Sequence, residues 1–162
     1  MLSYIIAIAA VIVLVVADQL IKAAVAANLP YGQPVEAIPG LLNWTYTTNT
    51  GGGFSMLSGK TWFLVGFTVV LMGIIVFLYV KKYFQHWVGR SSAVLILAGG
   101  IGNLIDRVFN GGKVIDFIDI SPLFNFAIFN FADCCITVGG VLLCVYILFL
   151  HQDKKPETAD AE

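Results

Sequence analysis

Charge is what this chain has least of. Nine Lys and Arg and ten Asp and Glu among 162 residues amount to 12%, and the mean hydropathy is +0.88. A soluble domain of this length needs far more polar surface, so the composition excludes one and describes a membrane protein. Cysteine is also sparse. Cys134, Cys135 and Cys144 fall in the last apolar run, the first two adjacent and with no Cys-x-x-Cys spacing, which excludes a disulfide framework and a redox motif and leaves free thiols. There are two histidines, His86 and His151. Both fall on the side opposite to the polar cluster described below, which argues against a Ser-His or Cys-His catalytic arrangement and against a His-ligated zinc.

What the chain has in quantity is long apolar runs. They cover Leu2 to Val16, Trp62 to Val80, Ser91 to Ile105 and Phe131 to Leu150. A membrane-spanning helix needs roughly 20 mostly apolar residues, so the second and fourth qualify alone. The first and third reach that length if their polar ends, Asp18 to Lys22 and Asn103 to Arg107, are helical and turned towards protein. The first run lacks a basic n-region, and no small-residue cleavage site precedes a soluble domain, so it is expected to be a span rather than a cleaved signal peptide. The expectation is an all-α membrane protein with four spans, at about 2–24, 61–80, 91–107 and 131–150.

Cations give the orientation. Lys81, Lys82 and Arg90 crowd the link between spans two and three, and Lys154 and Lys155 follow span four, so the positive-inside rule puts these regions and both termini in the cytoplasm. Residues 28–60 and 108–130 then face outwards. Residues 151–162, charged and with a proline, read as a disordered cytoplasmic tail after a membrane domain at 1–150. Within the first external segment, Leu42 to Thr48 alternates β-branched and aromatic residues as a strand does. Pro30, Pro34 and Pro39 with Gly32 and Gly40 make the stretch before it a series of turns. A small β-rich cradle on the membrane surface is expected, with Trp44, Tyr46 and Trp62 at headgroup depth.

The polar residues on the outer side are Asp18, Asp106, Asp116, Asp119 and Asp133, with Lys22, Arg107, Asn49, Asn103 and Asn130. Ionisable groups near hydrocarbon are costly and are functional candidates by default. Asn130 and Asp133 also have the spacing of a helix N-cap and its third residue, a purely structural alternative. Asp18 and Lys22 share a helix face, as do Asn103 and Arg107. An ion pair that closes the bundle is expected of the first couple. Asp106 reads as a structural partner of Arg107 or Lys22. Gly99, Gly100 and Gly102 make a small-residue surface for close helix approach or for a substrate helix.

Five blocks occur in order: Asp18-Gln19-Leu20-Ile21-Lys22, Asn49-Thr50-Gly51-Gly52-Gly53-Phe54-Ser55, Gly99-Gly100-Ile101-Gly102-Asn103-Leu104-Ile105-Asp106-Arg107, Val114-Ile115-Asp116-Phe117 and Phe129-Asn130-Phe131-Ala132-Asp133. Together they resemble the signature blocks of the bacterial lipoprotein signal peptidases, signal peptidase II, the aspartyl protease family A8. The resemblance spans nearly the whole chain. It implies an intramembrane aspartyl endopeptidase of the bacterial inner membrane that removes the signal peptide of prolipoproteins just before a diacylglyceryl-modified cysteine. It places the catalytic dyad on Asp116 and Asp133 and substrate contacts on Asn49 and Arg107. Asn103 and Asn130 join them as candidate substrate-binding residues, while Asp18, Lys22 and Asp106 are candidates for support behind the site. Membrane lipids and inhibitors of the globomycin type are the other expected partners, with no cofactor, metal or nucleic acid. The chain departs from the family in two places: the loop between Arg107 and Asp116 is one residue longer, with Gly111-Gly112 absorbing the difference, and Gly53 stands where a small Ala or Ser is usual. Asp119, three residues beyond Asp116, falls on the opposite face of a strand. A small proton- or cation-coupled transporter is the alternative. Its site belongs near the bilayer midplane, whereas Asp116 and Asp133 fall at the outer edge.

Overall fold

A computed structural model describes residues 2–52, 57 and 59–151. Gly53 and the expected tail, save for His151, lie outside the described residues. Four helices are long and apolar enough to cross a membrane: α1 (Leu2–Asn28), α2 (Thr61–Val80), α3 (Trp87–Phe109) and α4 (Phe131–Val145), the last continued by a π-helical turn over Tyr146–Leu150. The first and third helices run past their apolar cores. Their polar ends are helical because they are buried: Asp18, Lys22, Asn103, Asp106 and Arg107 are all withdrawn from the surface, where neighbouring helices and not lipid surround them.

Helix α3 is the hub. Half of its spanning window is buried, against 6% for α1 and for α2, and it packs against all three of the others. Its glycines explain how. A Cβ at Gly99 would overlap the carbonyl oxygen of Ala132 in α4, one at Gly100 would meet Met72 Sδ of α2 at 3.2 Å, and one at Gly102 would meet Asp18 Oδ2 of α1 at 2.6 Å. These glycines therefore serve three faces, not one. In lipid, where hydrophobic burial does not drive helices together, such close backbone approach is what packing rests on. The outer flanks of α1 and α2 stay apolar and exposed, with Ile5, Ile12, Phe67 and Phe77 each more than half accessible, as hydrocarbon-facing surfaces should be.

The cradle is a three-stranded antiparallel sheet in the order β1 (Pro34–Ile38), β2 (Leu42–Asn49), β3 (Val114–Asp119). Strand β2 forms where the alternating pattern predicts it. Strand β1 corrects the expectation of turns only: Pro34 is its first residue and β1 is an edge, both settings in which a strand tolerates a missing N–H. The turns fall on either side of it, with Gly40 at φ 68°. Thr47 pairs with Asp116 and Asn43 with Asp119. The longer loop before β3 closes through Gly111 and Gly112 at φ 61° and 88°, consecutive left-handed residues that glycine adopts without a steric penalty.

Candidate active site

Three elements converge at the sheet-bearing end of the bundle: the end of α3, strand β3 and the start of α4. Asn130 caps α4. Its side chain accepts from the Asp133 N–H at 2.9 Å, and its own N–H donates to Asp133 Oδ2 at 3.2 Å, a complete capping box. The structural alternative is thus present, and it leaves the rest of Asn130 available. Asn130 Nδ2 donates to Asp116 Oδ1 at 2.6 Å and to Asn103 Oδ1 at 3.1 Å, and Asn103 Nδ2 donates to Asp133 Oδ1 at 2.8 Å. Two amides therefore bridge two carboxylates. Asn130 is fully buried, and Asp116 and Asn103 are nearly so.

Burial, and after it the nearby charge of Asp133, push the Asp116 carboxyl up from 3.8 to about 7, against the opposing pull of hydrogen bonds from Asn130 and Asn49 and of the Lys22 charge. A carboxyl that keeps its proton near neutrality beside a second carboxyl is the electrostatic condition for sharing one proton between two acids. Asp119 differs in every respect. It accepts from Thr45 Oγ1 at 2.7 Å and from the Ser121 N–H at 2.9 Å, and although burial works the other way, these bonds hold its carboxyl below the usual range. It has no place in the bridged cluster.

Behind the carboxylates lies a second polar layer. Lys22 Nζ is 2.9 Å from both Asp18 and Asp106 and donates to Asn103 Oδ1 at 3.2 Å. Asp18 Oδ1 accepts the Ala132 N–H at 3.0 Å and Asp106 Oδ2 the Ile115 N–H at 3.1 Å. Asp106 thus pairs with Lys22 and not with Arg107. This layer fastens the residues next to Asp133 and Asp116 to α1 and α3. Gln19 joins it, donating to Asp18, to Asp106 and to the Gly102 carbonyl. Its role is missed in a reading of residue types alone, though it lies in the same block as Asp18 and Lys22.

Arg107 and Asn49 meet at a loop. Arg107 donates to the Gly51 carbonyl at 2.8 Å and to the Asn103 carbonyl at 3.3 Å, while Asn49 accepts from the Gly51 N–H at 2.8 Å and donates to the Gly52 carbonyl at 3.3 Å. Both shape the backbone after β2. The Nε of Arg107 is buried with no partner among the described residues. A cavity of about 680 Å³ is lined by Asn49, Asn103, Arg107, Asp116 and Asp133 and, for most of its wall, by apolar residues of α2, α4 and the 126–129 segment. That volume is within the range of sites that bury a small molecule or a short peptide segment.

A model of the family described as signal peptidase (SPase) II matches residues 10–149. The chain belongs to the signal peptidase II family. A lipoprotein signal peptidase of Streptococcus thermophilus is 41% identical over 144 residues, covering 89% of this chain and 92% of its relative. One of Listeria monocytogenes serotype 4b is 42% identical over 131 residues, covering 80% and 84%. Two solved structures described as bacterial membrane enzymes, at 2.3 and 1.9 Å resolution, superpose with TM-scores of 0.84 and 0.79 at 33% identity, covering 93% and 88% of this chain and 92% of each neighbour. The fold of this signal peptidase II homologue is therefore that of a multi-pass membrane enzyme. None of these comparisons supports the transporter alternative.

Proposed function

We propose that this member of the signal peptidase II family is an aspartic endopeptidase acting on diacylglyceryl-modified prolipoproteins, with Asp116 and Asp133 as its dyad. The observation that carries the reading is the bridged pair of carboxylates at the edge of an apolar cavity. Asp116, with its raised pKa, holds the proton and donates it to the oxygen of the scissile carbonyl. Asp133, which accepts N–H donors on both oxygens, works as the carboxylate and takes a proton from the water that adds to the carbonyl carbon. Collapse of the tetrahedral intermediate returns a proton to the leaving amine. Arg107 and Asn49, which hold the Gly51 and Gly52 backbone beside the cavity, contact the substrate next to the cleaved bond. The apolar wall takes the acyl chains, each buried methylene contributing about 0.8 kcal/mol, and the same wall would receive a cyclic lipopeptide such as globomycin. The site lies at the outer face of the bacterial inner membrane, with both termini in the cytoplasm.

Incubation of purified protein with a diacylglyceryl-modified prolipoprotein, read by mass, tests this. The expected product begins at the lipidated cysteine. Cleavage persists in EDTA, falls with globomycin and is poor on the unmodified substrate. Inactivation by EDTA that added divalent metal restores would replace the dyad with a metal site.

A further inference from the structure

A second cavity, of about 750 Å³, lies at the opposite end of the bundle, between the start of α1, the end of α2 and the start of α3. Three cations line it: Lys81, Lys82 and Arg90. Among the described residues no carboxylate pairs with any of them; the two ion pairs found there both involve Lys22, at the other end. Arg90 is anchored by its Nε, which donates to the Phe84 carbonyl at 3.2 Å, so its place on the cavity wall is fixed. Lys82 is held at φ 58°, a left-handed turn conformation that a lysine rarely adopts. The remaining wall is aromatic. Tyr4 and Tyr79 meet edge to face at 5.7 Å, and Phe84, buried, packs against Tyr79.

The positive-inside rule accounts for cations on this loop. It does not account for a concave site that concentrates them over an aromatic floor. Concentrated positive charge without a counter-ion calls for an anion, and the surroundings choose its kind. Leu2, Ile5, Phe77 and Val80, on the adjoining turns of α1 and α2, are 59% to 70% exposed, so the cavity opens beside a hydrocarbon-facing surface. A soluble phosphate has no use for such a rim, whereas a phospholipid has its phosphate at this depth and its first methylenes against the rings.

We propose that this cavity binds the headgroup of an anionic phospholipid, its phosphate held by Lys81, Lys82 and Arg90. Each basic residue facing an anionic headgroup strengthens binding by about a factor of five, so Lys81→Gln with Lys82→Gln should weaken it about 25-fold. Native mass spectrometry of the full-length protein, titrated with phosphatidylglycerol, reads this directly. The expected result is one saturable phosphatidylglycerol adduct on the wild type, its loss in the double Gln variant, and its return in Lys81→Arg with Lys82→Arg. Cleavage by the Gln variant in neutral detergent stays at the wild-type rate, which shows that it folds. Phosphatidylcholine binding equally well, or the Gln variant keeping the adduct, overturns the proposal. Displacement of the lipid by millimolar inorganic phosphate makes it a site for soluble anions and overturns it too. The chain's last residues include Asp153, Glu157, Asp160 and Glu162. An adduct that forms only after these are changed to Asn and Gln assigns the cavity to the chain's own C-terminal segment instead of lipid.

Discussion

At the scale of single residues, the aspartates of the sheet-bearing end are distinguished by their partners. Asp116 and Asp133 share the Asn130 and Asn103 amides, and Asp119 is turned into a niche of its own with Thr45 and Ser121. Asp116→Asn and Asp133→Asn should each reduce cleavage by at least about a hundredfold, because an amide neither shares the proton nor accepts one from water. Asp119→Asn should stay within a few-fold of wild type. A dead Asp119→Asn enzyme with an active Asp116→Asn one, measured on the same lipoprotein substrate, would reverse the assignment. The raised Asp116 carboxyl also sets a pH dependence. It titrates at about 7 in the fold and 3.8 ordinarily, so between those values the folded chain holds a proton that the unfolded chain has released. The stability from this group is full below pH 3.8 and is lost as pH rises through 7. Cleavage should decline on its alkaline limb near pH 7 as the acid loses its proton. Melting of the wild type should weaken between pH 5 and 8 more than that of Asp116→Asn, and parallel curves would remove Asp116 as the titrating group.

At the scale of elements, packing and clamping make distinct predictions. Gly99→Ala drives a Cβ into the α4 backbone and should destabilise by about 1–3 kcal/mol. Gly140→Ala, which meets nothing within 4 Å, should be neutral or add up to about 1 kcal/mol of helix propensity. Thermal or denaturant unfolding in detergent compares the two, and equal losses would mean that α3 is not seated as closely on α4 as described. Arg107→Lys keeps the charge but loses the planar fork that spans the Gly51 and Asn103 carbonyls. Its turnover should fall at least about tenfold while insertion and melting stay near wild type. A fully active Lys variant would reduce Arg107 to its charge. The elements also show what a sequence discloses. All four spans and β2 are legible from hydropathy and alternation, since both patterns are local. Strand β1 is not, because Pro34 reads as a turn until its neighbour strand makes it an edge. Nor are the bridging of both aspartates through Asn103 and Asn130, or the anchoring of Gln19, legible from spacing, because α1, α3 and α4 are brought together only by tertiary packing across more than a hundred residues.

At the scale of the whole molecule, charge is divided between two ends. Every aspartate and glutamate among the described residues belongs to the sheet-bearing end, and Lys81, Lys82 and Arg90 to the other. With the native cysteines replaced, a cysteine placed at exposed Glu36 on β1 should react with a membrane-impermeant thiol reagent in intact cells. One at exposed Gln85 should react only after permeabilisation, and the reverse pattern would invert the proposed orientation. The division has a consequence for how the chain is made. Asp18 and Lys22, one turn apart on α1 and paired at 2.9 Å, neutralise each other as soon as that helix forms, so α1 enters the membrane carrying no net charge at its polar end. When α3 follows, it brings Asp106 with Arg107, again a balanced couple. Asp106 then finds Lys22 already in position, and with it the hydrogen-bonding scaffold onto which Ile115 and Ala132 later close. The order of synthesis is thus the order in which the polar cluster can be built, with the Asp18–Lys22 part of its support made before α3, Asp116 or Asp133.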